Sequence, residues 1–379
     1  MPVKTPSTLP TARKWCLCYR TDEKKLYEFT GAGTWSLLLT IGGISRGYNL
    51  YYRKTKLNED YNVNDYVTDS FGGGLTFGYP IDENQSISAG LNADNTKVTT
   101  GPYVSTYIRD YLTSHGGKET RSEKFCLDKT AQTSEDCSSW SDPLGTEFEG
   151  EFFTYNLNLG WSYNTLNRPM FPTSGMAHRI NAEIALPGSD VEYQKITYDA
   201  QALFPLGKDF FIRGYGKLGY GNDLPFYKNY YAGGYGSVRG FDNNTLGPRY
   251  NSVYSENRGD MDDARYQEEV GGNALVQFGA ELVLPVPFKG DWARQVRPVI
   301  FAEGGQVFDT QCDVSKEQST RDRCKDEFGF SGDNMRYSVG VGFTWITMIG
   351  PLSLSYAYPI NDKPSDEIKN IQFEIGRTF

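Results

Sequence analysis

Arg239 stands among glycines in the stretch GGYGSVRGFDNNTLGPR, which runs from Gly233 to Arg249 between two runs of alternating apolar and polar residues. A guanidinium presents its N–H donors as a planar fork, so it can bind a carboxylate or a phosphate through two parallel hydrogen bonds. The glycines permit positive φ and a close approach to neighbouring chain. A phosphate cradle would need a helix after the glycines, and no helical pattern follows. Two readings remain: an arginine that binds the protein's own carboxylates, or a mobile loop.

The other polar residues show no enzymatic arrangement. Lone Ser, His and Asp residues occur without the arrangement of a catalytic triad. The acidic segment Arg258–Glu269, RGDMDDARYQEE, lacks the spacing and the glycine of a calcium-binding EF-hand loop, which favours a solvated loop. We therefore expect that the protein is not an enzyme and that it binds no metal ion or other cofactor.

Two pairs of cysteines have a spacing that suits disulfide-closed loops. Cys126 and Cys137, and likewise Cys312 and Cys324, are separated by roughly ten residues of polar, turn-rich sequence. This pattern predicts the disulfides Cys126–Cys137 and Cys312–Cys324 and an oxidising compartment. Zinc is the weaker alternative, because the chain has no C-x-x-C motif and only two histidines.

Strands must position these residues, because apolar and polar side chains alternate with a period of two along most of the chain. In Thr154–Leu166, for example, Tyr, Leu and Trp occupy one face while Asn, Ser and Gly occupy the other. Twelve segments of this kind predict strands: Tyr48–Arg53, Phe71–Tyr79, Ser86–Asn92, Thr154–Leu166, Arg179–Leu186, Lys195–Phe204, Phe210–Tyr220, Ala274–Leu284, Val299–Phe308, Arg336–Ile346, Leu352–Tyr358 and Asn370–Phe379.

The connections differ in length, as in an outer-membrane barrel with short turns on the periplasmic side and long loops on the extracellular side. Short ones are Pro187–Glu192, Pro205–Lys208 and Thr347–Pro351, and long polar ones are 93–150, 222–272, Thr310–Asn334 and Asn361–Lys369. We interpret 93–150 as an extracellular insertion and 222–272 as the long loop that carries Arg239. Residues 43–379 then form one barrel domain, and residues 1–42 remain unassigned because they show no sustained alternation.

Composition agrees with an all-β, transmembrane antiparallel β-barrel. The chain has 379 residues, a net charge of −9, 38% hydrophobic residues and 15% aromatic residues. No apolar run reaches the ~18 residues of a membrane helix, but a barrel crosses with strands of ~10 residues that are apolar on one face only. A large soluble β-sandwich is the alternative, and aromatic residues near the strand ends favour the barrel. The acidic balance argues against a nucleic-acid partner.

The VRGF tetrapeptide, Val238 to Phe241, resembles the BamA family of outer-membrane protein assembly barrels. Further segments agree in colinear order over roughly residues 45–379: NRPMFPTSG, VGGNALVQFGAELVLPVPF, MIGPLSLSYAYPI and the terminal IQFEIGRTF. The resemblance implies a sixteen-stranded barrel preceded by POTRA domains that bind nascent substrate and partner lipoproteins. It begins at what corresponds to the fifth barrel strand, so we expect a chain truncated at its N-terminus, without POTRA domains.

The resemblance also implies a role for the functional loop Val238, Arg239, Gly240 and Phe241, which folds back into the barrel lumen. There two carboxylates, Glu281 and Glu303, hold the guanidinium. Alternation alone puts Glu281 on the polar face of Ala274–Leu284. The placement of Glu303 rests on the resemblance, and the family usually has Asp at that position.

The last strand resembles the terminal signal of outer-membrane barrels. Ile371, Phe373, Ile375 and the terminal Phe379 alternate with polar residues. Such a strand can form one side of a lateral seam and pair with an incoming strand by β-augmentation.

The function that these features imply is the insertion and folding of β-barrel proteins in the bacterial outer membrane, through a lateral seam. The expected partners are the lipid bilayer, nascent outer-membrane proteins and accessory lipoproteins that bind POTRA domains. A passive channel or porin is the first alternative. The second is a two-partner secretion transporter of the same superfamily, which would share the VRGF loop but export its partner.

Overall fold

One large antiparallel sheet dominates the protein. The computed structural model describes residues 16–20, 25–30, 34–41, 43–56, 66–101, 104–121, 146–169, 171–207, 210–253, 267–286, 295–311, 328–347 and 350–375. Within these ranges the sheet has sixteen strands, in the order β1-β2-β3-β4-β5-β6-β8-β9-β10-β11-β15-β16-β17-β18-β20, with β7 paired to β8. β1 and β20 are its two ends, and no ladder joins them in the described part of the chain.

The strands vary in length from two to nineteen residues. The first ten are β1 Cys16–Arg20, β2 Lys25–Thr30, β3 Thr34–Ile41, β4 Ile44–Lys56, β5 Tyr66–Pro80, β6 Gln85–Thr100, β7 Lys118–Arg121, β8 Thr146–Asn164, β9 Gly175–Ala185 and β10 Gln194–Pro205. The others are β11 Phe211–Asn222, β12 Gly240–Phe241, β13 Arg249–Asn251, β14 Gln267–Glu269, β15 Ala274–Val283, β16 Val296–Phe308, β17 Arg336–Thr347, β18 Gly350–Pro359, β19 Ile368–Lys369 and β20 Ile371–Ile375.

The exposed face of the sheet is apolar and aromatic. Large hydrophobic side chains with at least a third of their surface exposed recur at every second position, among them Leu50, Leu75, Leu91, Phe278 and Val341. The opposite face carries buried polar residues such as Asn156, Gln277 and Thr344. An apolar outside and a polar inside is the arrangement of a membrane barrel, whose outer surface meets lipid.

All twelve predicted strands are confirmed, since each overlaps one strand of the large sheet, although residues 376–379 of the last one lie outside the described residues. The segment 1–42, for which alternation gave no assignment, contributes β1, β2 and β3. Their register joins them in sequence to β4 through three antiparallel hairpins.

The bounds predicted for the insertion, 93–150, are too wide. β6 continues to Thr100 and β8 begins at Thr146, so the connection between them lies within 101–145. Here Thr96 and Val98 are buried inward, while the outward residues Asn95 and Lys97 are polar, the first partly exposed and the second exposed. The hydrogen-bonded ladder continues beyond the apolar band, where the outward face no longer needs to be apolar.

Connection length does not alternate strictly from one end of the barrel to the other. Residues 186–193 form a short connection at the end that carries the long loops, because β8 begins and β9 ends there. This turn completes the backbone hydrogen bonds of the long strand β8: Leu186 and Asp190 donate to the carbonyls of Tyr155 and Phe153 at 2.7 and 2.8 Å.

The lumen is filled by the loop between β11 and β15 and by a short helix. Helix α1, Thr106–Ser114, is capped by Ser105, whose hydroxyl accepts from the Ile108 N–H at 3.4 Å. Its buried face, Ile108 and Leu112, packs into an apolar cluster with Phe152, Phe226 and Phe241. Phe152 belongs to β8, whereas Phe226 and Phe241 belong to the loop between β11 and β15. The sheet therefore curves around its own loops.

Within the described ranges, no helix is long and apolar enough to cross a membrane.

Candidate functional site

The register of β11, β15 and β16 brings charged residues to one patch of the inner wall. In one row Arg213 lies opposite Glu281, and in the next Tyr215 lies opposite Gly279, which lies opposite Glu303. Residues two apart along a strand share a face, so both rows point inward. Glu281 and Glu303 are therefore diagonal neighbours, a separation that a long side chain can bridge.

Arg239 bridges these two carboxylates from the loop. Its Nε donates to Glu303 Oε1 at 2.9 Å, and its Nη2 donates to Glu281 Oε1 at 2.7 Å. Its backbone N–H donates to Glu303 Oε2 at 2.7 Å, so Glu303 binds both the main chain and the side chain of one residue. Tyr215 donates its hydroxyl proton to Glu303 Oε1 and accepts from Arg239 Nη2 at 3.3 Å. The arginine is only 2% exposed.

A second arginine completes the charge balance. Arg213 Nη1 donates to Glu281 Oε2 at 3.0 Å, and its Nε donates to Gln201 Oε1 at 3.2 Å. Two guanidiniums thus meet two carboxylates, which is the condition under which buried charge is tolerated. We call Arg213, Tyr215, Arg239, Glu281 and Glu303 the clasp.

Arg239 stays charged in this environment. Burial by itself would lower the pKa of its guanidinium, but the neighbouring acidic groups, Glu303 first, raise that pKa above its ordinary value. The charge-assisted hydrogen bonds of the clasp are therefore present across the physiological pH range.

Glycines and one aromatic ring make room for the clasp. A Cβ on Gly279 would lie 2.5 Å from Tyr215 Cζ, so the missing side chain lets the Tyr215 ring cross β15 towards Glu303. The guanidinium of Arg239 lies over Phe301, with Cζ 3.4 Å from the ring centroid. Such a contact with a desolvated cation contributes roughly 2 kcal/mol.

The other residues of the VRGF tetrapeptide also contact the wall. Val238 is fully buried and lies against Gly305, where a Cβ would stand 2.9 Å from Val238 Cγ2. Gly240 has a φ of 96°, which glycine adopts without strain, and a Cβ there would meet β18 side chains at 3.3 Å. Phe241 is fully buried. The structure thus brings together all six residues that the sequence assigned to the loop and its carboxylate partners.

The terminal strand carries three of the four residues assigned to the seam. Ile371, Phe373 and Ile375 are each more than half exposed and lie on the apolar outer face. Phe379 lies outside the described residues, as do Cys126, Cys137, Cys312 and Cys324, so the terminal aromatic signal and both disulfides stay predictions.

A second attachment of the loop, which the sequence did not reveal, lies on β9, three strands from β15 in the order of the sheet. Lys228 Nζ lies 2.7 Å from Glu183 Oε1 of β9, which also accepts from the Tyr193 hydroxyl at 2.6 Å. Lys195 Nζ of β10 donates to the carbonyl of Lys228 at 2.5 Å. Glu183 falls on the polar face of the predicted strand Arg179–Leu186, but no local pattern indicates that its partner lies in a distant loop.

A third contact that the sequence did not reveal lies at the other end of the lumen. Arg297 of β16 donates to the carbonyls of Phe171 and Pro172 at 2.9 and 3.2 Å, and its Cζ lies 4.2 Å from the Phe171 ring centroid. Phe171 has a φ of 50°, which residues other than glycine seldom adopt. The connection between β8 and β9 is therefore held across the lumen by β16.

The loop between β11 and β15 also contains two short antiparallel strands, β13 and β14. Glu269 of β14 is 1% exposed and forms an ion pair with Arg249 of β13. The end of the acidic segment, which was expected to be solvated, is therefore buried, because β13 pairs with it and supplies a countercharge.

Comparison with known proteins identifies relatives of the whole described fold. A family model described as the Omp85 superfamily domain matches residues 35–379. The outer membrane protein assembly factor BamA of Neisseria meningitidis serogroup B is 32% identical over 357 residues. That alignment covers 90% of this chain and 40% of the relative, so the chain spans less than half the relative's length.

Two solved structures are similar in fold. The crystal structure of BamA from Haemophilus ducreyi lacking POTRA domains 1–3 matches with a TM-score of 0.72 and 28% identity, over 94% of this chain and 65% of that chain. CdiB from Escherichia coli matches with a TM-score of 0.51 and 11% identity, over 93% of this chain and 55% of that chain. At the latter identity the likeness concerns the fold alone.

Proposed function

Because the chain belongs to the Omp85 superfamily, we propose that it is the barrel of an outer-membrane protein assembly factor. It inserts and folds β-barrel proteins in the bacterial outer membrane through a lateral seam. The clasp is the observation that carries this proposal. A buried ion-pair cluster holds Arg239 of the loop against the wall inside the barrel, and its partners on the wall are 24 to 64 residues away in sequence.

The proposed mechanism follows from hydrogen bonding in hydrocarbon. An unpaired backbone group costs several kcal/mol in lipid, so an incoming strand gains free energy as soon as it pairs with an edge. β20 offers such an edge, because its ladder in the described residues runs along β18 only. Burial of the lipid-facing side chains of the new strand adds to this gain. The proposal requires no enzymatic chemistry, nucleotide or other cofactor.

The proposed partners are the outer-membrane lipid bilayer and unfolded outer-membrane barrel proteins. Accessory lipoproteins are proposed as further partners that act through POTRA domains, a feature of the Haemophilus relative. A nucleic-acid partner does not form part of the proposal, since the net charge of the chain is −9.

A passive channel is the principal rival, and the lumen argues against it. A porin keeps a polar, water-filled passage, whereas here apolar residues of the loop lie inside the lumen and occupy part of it. Val238, Phe226 and Phe241 are fully buried and pack with the inner wall and α1.

An assembly assay tests the proposal. The full-length protein is reconstituted in liposomes, an unfolded outer-membrane barrel protein is added, and the folded fraction is followed by its heat-modifiable mobility on semi-native gels. We expect folding to be faster than in liposomes that hold an equal amount of a porin. Equal rates in the two preparations would refute the assembly function.

A further inference from the structure

Within the described residues, the terminal strand is bound to the sheet by a short ladder. There β20 pairs with β18 over five positions, Leu352–Tyr356 against Ile371–Ile375, whereas β18 pairs with β17 over ten. In the described residues β20 has no partner strand on its other edge. A strand with few backbone hydrogen bonds along one edge is among the first elements to open.

The chain just before β20 is attached to the VRGF loop. β12, Gly240–Phe241, pairs antiparallel with β19, Ile368–Lys369. The Asp242 N–H donates to the carbonyl of Glu367 at 2.8 Å. Lys369 Nζ also lies 3.1 Å from Asp242 Oδ1. The segment that leads into β20 is thus held by the loop that the clasp fixes to β15 and β16.

One side chain of β20 extends this attachment into the strand. Gln372 points inward and is 5% exposed, and its Nε2 donates to the carbonyl of Phe241 at 2.6 Å. Its Oε1 is buried and makes no hydrogen bond in the described part of the chain. A side-chain amide can form about four hydrogen bonds, so this one is held weakly enough to be released.

We infer that the VRGF loop positions the terminal strand, with Gln372 as the positioning residue of a latch between them. Arg239 fixes the loop to β15 and β16, and Gln372 fixes β20 to the loop. Release at either point loosens the strand whose edge forms the seam. The use of this latch in strand exchange rests on the proposed function, but the latch itself is a property of the barrel that can be measured separately.

Amide hydrogen exchange of the full-length protein, read by mass spectrometry, tests the latch. Gln372→Met removes the donor at nearly constant volume. We expect β20 amides to exchange roughly three- to tenfold faster, with β15 and β16 unchanged. Ser355→Ala is the matched control, because Ser355 lies opposite Gln372 on β18, is buried, and makes no hydrogen bond to the loop in the described residues. It should leave β20 exchange at the wild-type rate.

A second set of variants tests whether the clasp and Gln372 act together on β20, as a latch requires, or whether Gln372 only packs against the loop. Arg239→Ala should accelerate β20 exchange although Arg239 touches β15 and β16, and adding Gln372→Met should produce no further increase. If Arg239→Ala does not fold, Glu303→Gln takes its place. Unchanged β20 exchange in Gln372→Met, equal acceleration of every strand, or additive effects in the double variant would overturn the inference. If the exchange experiment shows the latch but the protein does not accelerate folding in the liposome assay, only the assembly function is refuted.

Discussion

Arg239 is held by a geometry that only a guanidinium can satisfy. It donates to two carboxylates on neighbouring strands while its planar face lies on Phe301. A lysine ammonium is a point charge without that planar fork, so it cannot bind Glu281 and Glu303 at these positions and stack on the ring together. Loss of the cation leaves the buried charge of Glu303 with two neutral donors, the Tyr215 hydroxyl and the backbone N–H of residue 239, whereas Glu281 keeps Arg213.

Arg239→Lys is therefore expected to destabilise the folded barrel. Removing one partner of a buried ion pair costs about 3–5 kcal/mol, and the substituted ammonium recovers only part of this. The measurement is the temperature at which the heat-modifiable band is lost on semi-native gels. Lys217→Gln is the control, because Lys217 lies 3.9 Å from Asp199 in an exposed pair that contributes little. Loss of the band at the same temperature in all three proteins would contradict the role given to Arg239.

The connection between β8 and β9 shows how an element can be fixed from across the lumen. Arg297 binds two of its carbonyls, and Leu166 packs on an apolar cluster with Phe211 and Val299. Phe171 keeps its unusual backbone conformation because these contacts hold it, at a cost of order 1–3 kcal/mol. The connection is thereby closed over one end of the lumen.

Arg297→Gln should release this connection while the clasp stays intact. A shorter, neutral side chain cannot reach both carbonyls, so the strained Phe171 backbone is expected to relax. A spin label at Thr173 should become more mobile, and exchange of the β15 amides should stay at the wild-type rate. The same label in Lys217→Gln is the control, since Lys217 lies 3.9 Å from Asp199 in an exposed pair between β10 and β11, away from this connection. An unchanged spectrum in Arg297→Gln would refute the contact.

Sequence patterns predicted the strands of the barrel better than the contacts that the loops make inside the lumen. Alternation found the strands because lipid on one side and a polar lumen on the other impose a period of two. It missed the end of β6 because Asn95 and Lys97 stand above the apolar band, where the outward face is polar. Glu281 could be predicted as inward from alternation, whereas its pairing with Arg239 required the family resemblance.

The contacts of Lys228 and Arg297 could not be predicted in this way. Each joins residues that are distant in sequence, 45 positions apart for Lys228 and Glu183 and 126 for Arg297 and Phe171. Their pairing depends on the curvature of the whole sheet, which a local pattern does not encode.

The molecule as a whole is a barrel whose lumen is organised by one long loop. Lys228 attaches the loop to β9, Arg239 attaches it to β15 and β16, and Gln372 attaches it to β20. The loop therefore connects β9, β15 and β16 to the strand that ends the sheet. This arrangement suits a barrel that opens at a seam while the remaining wall keeps its shape.

The position of the VRGF loop in the lumen is the central claim, and a cysteine pair tests it most directly. Val238→Cys combined with Gly305→Cys puts two thiols within disulfide reach, because a Cβ on Gly305 would lie 2.9 Å from Val238 Cγ2. Val238→Cys with Gly214→Cys is the control, since Gly214 lies on the outward face of β11, opposite the exposed Ala280. After mild oxidation of the folded protein, the first pair should give a crosslinked band on non-reducing gels and the second should not. Absence of the Val238–Gly305 crosslink, or equal crosslinking of both pairs, would contradict a loop held inside the barrel.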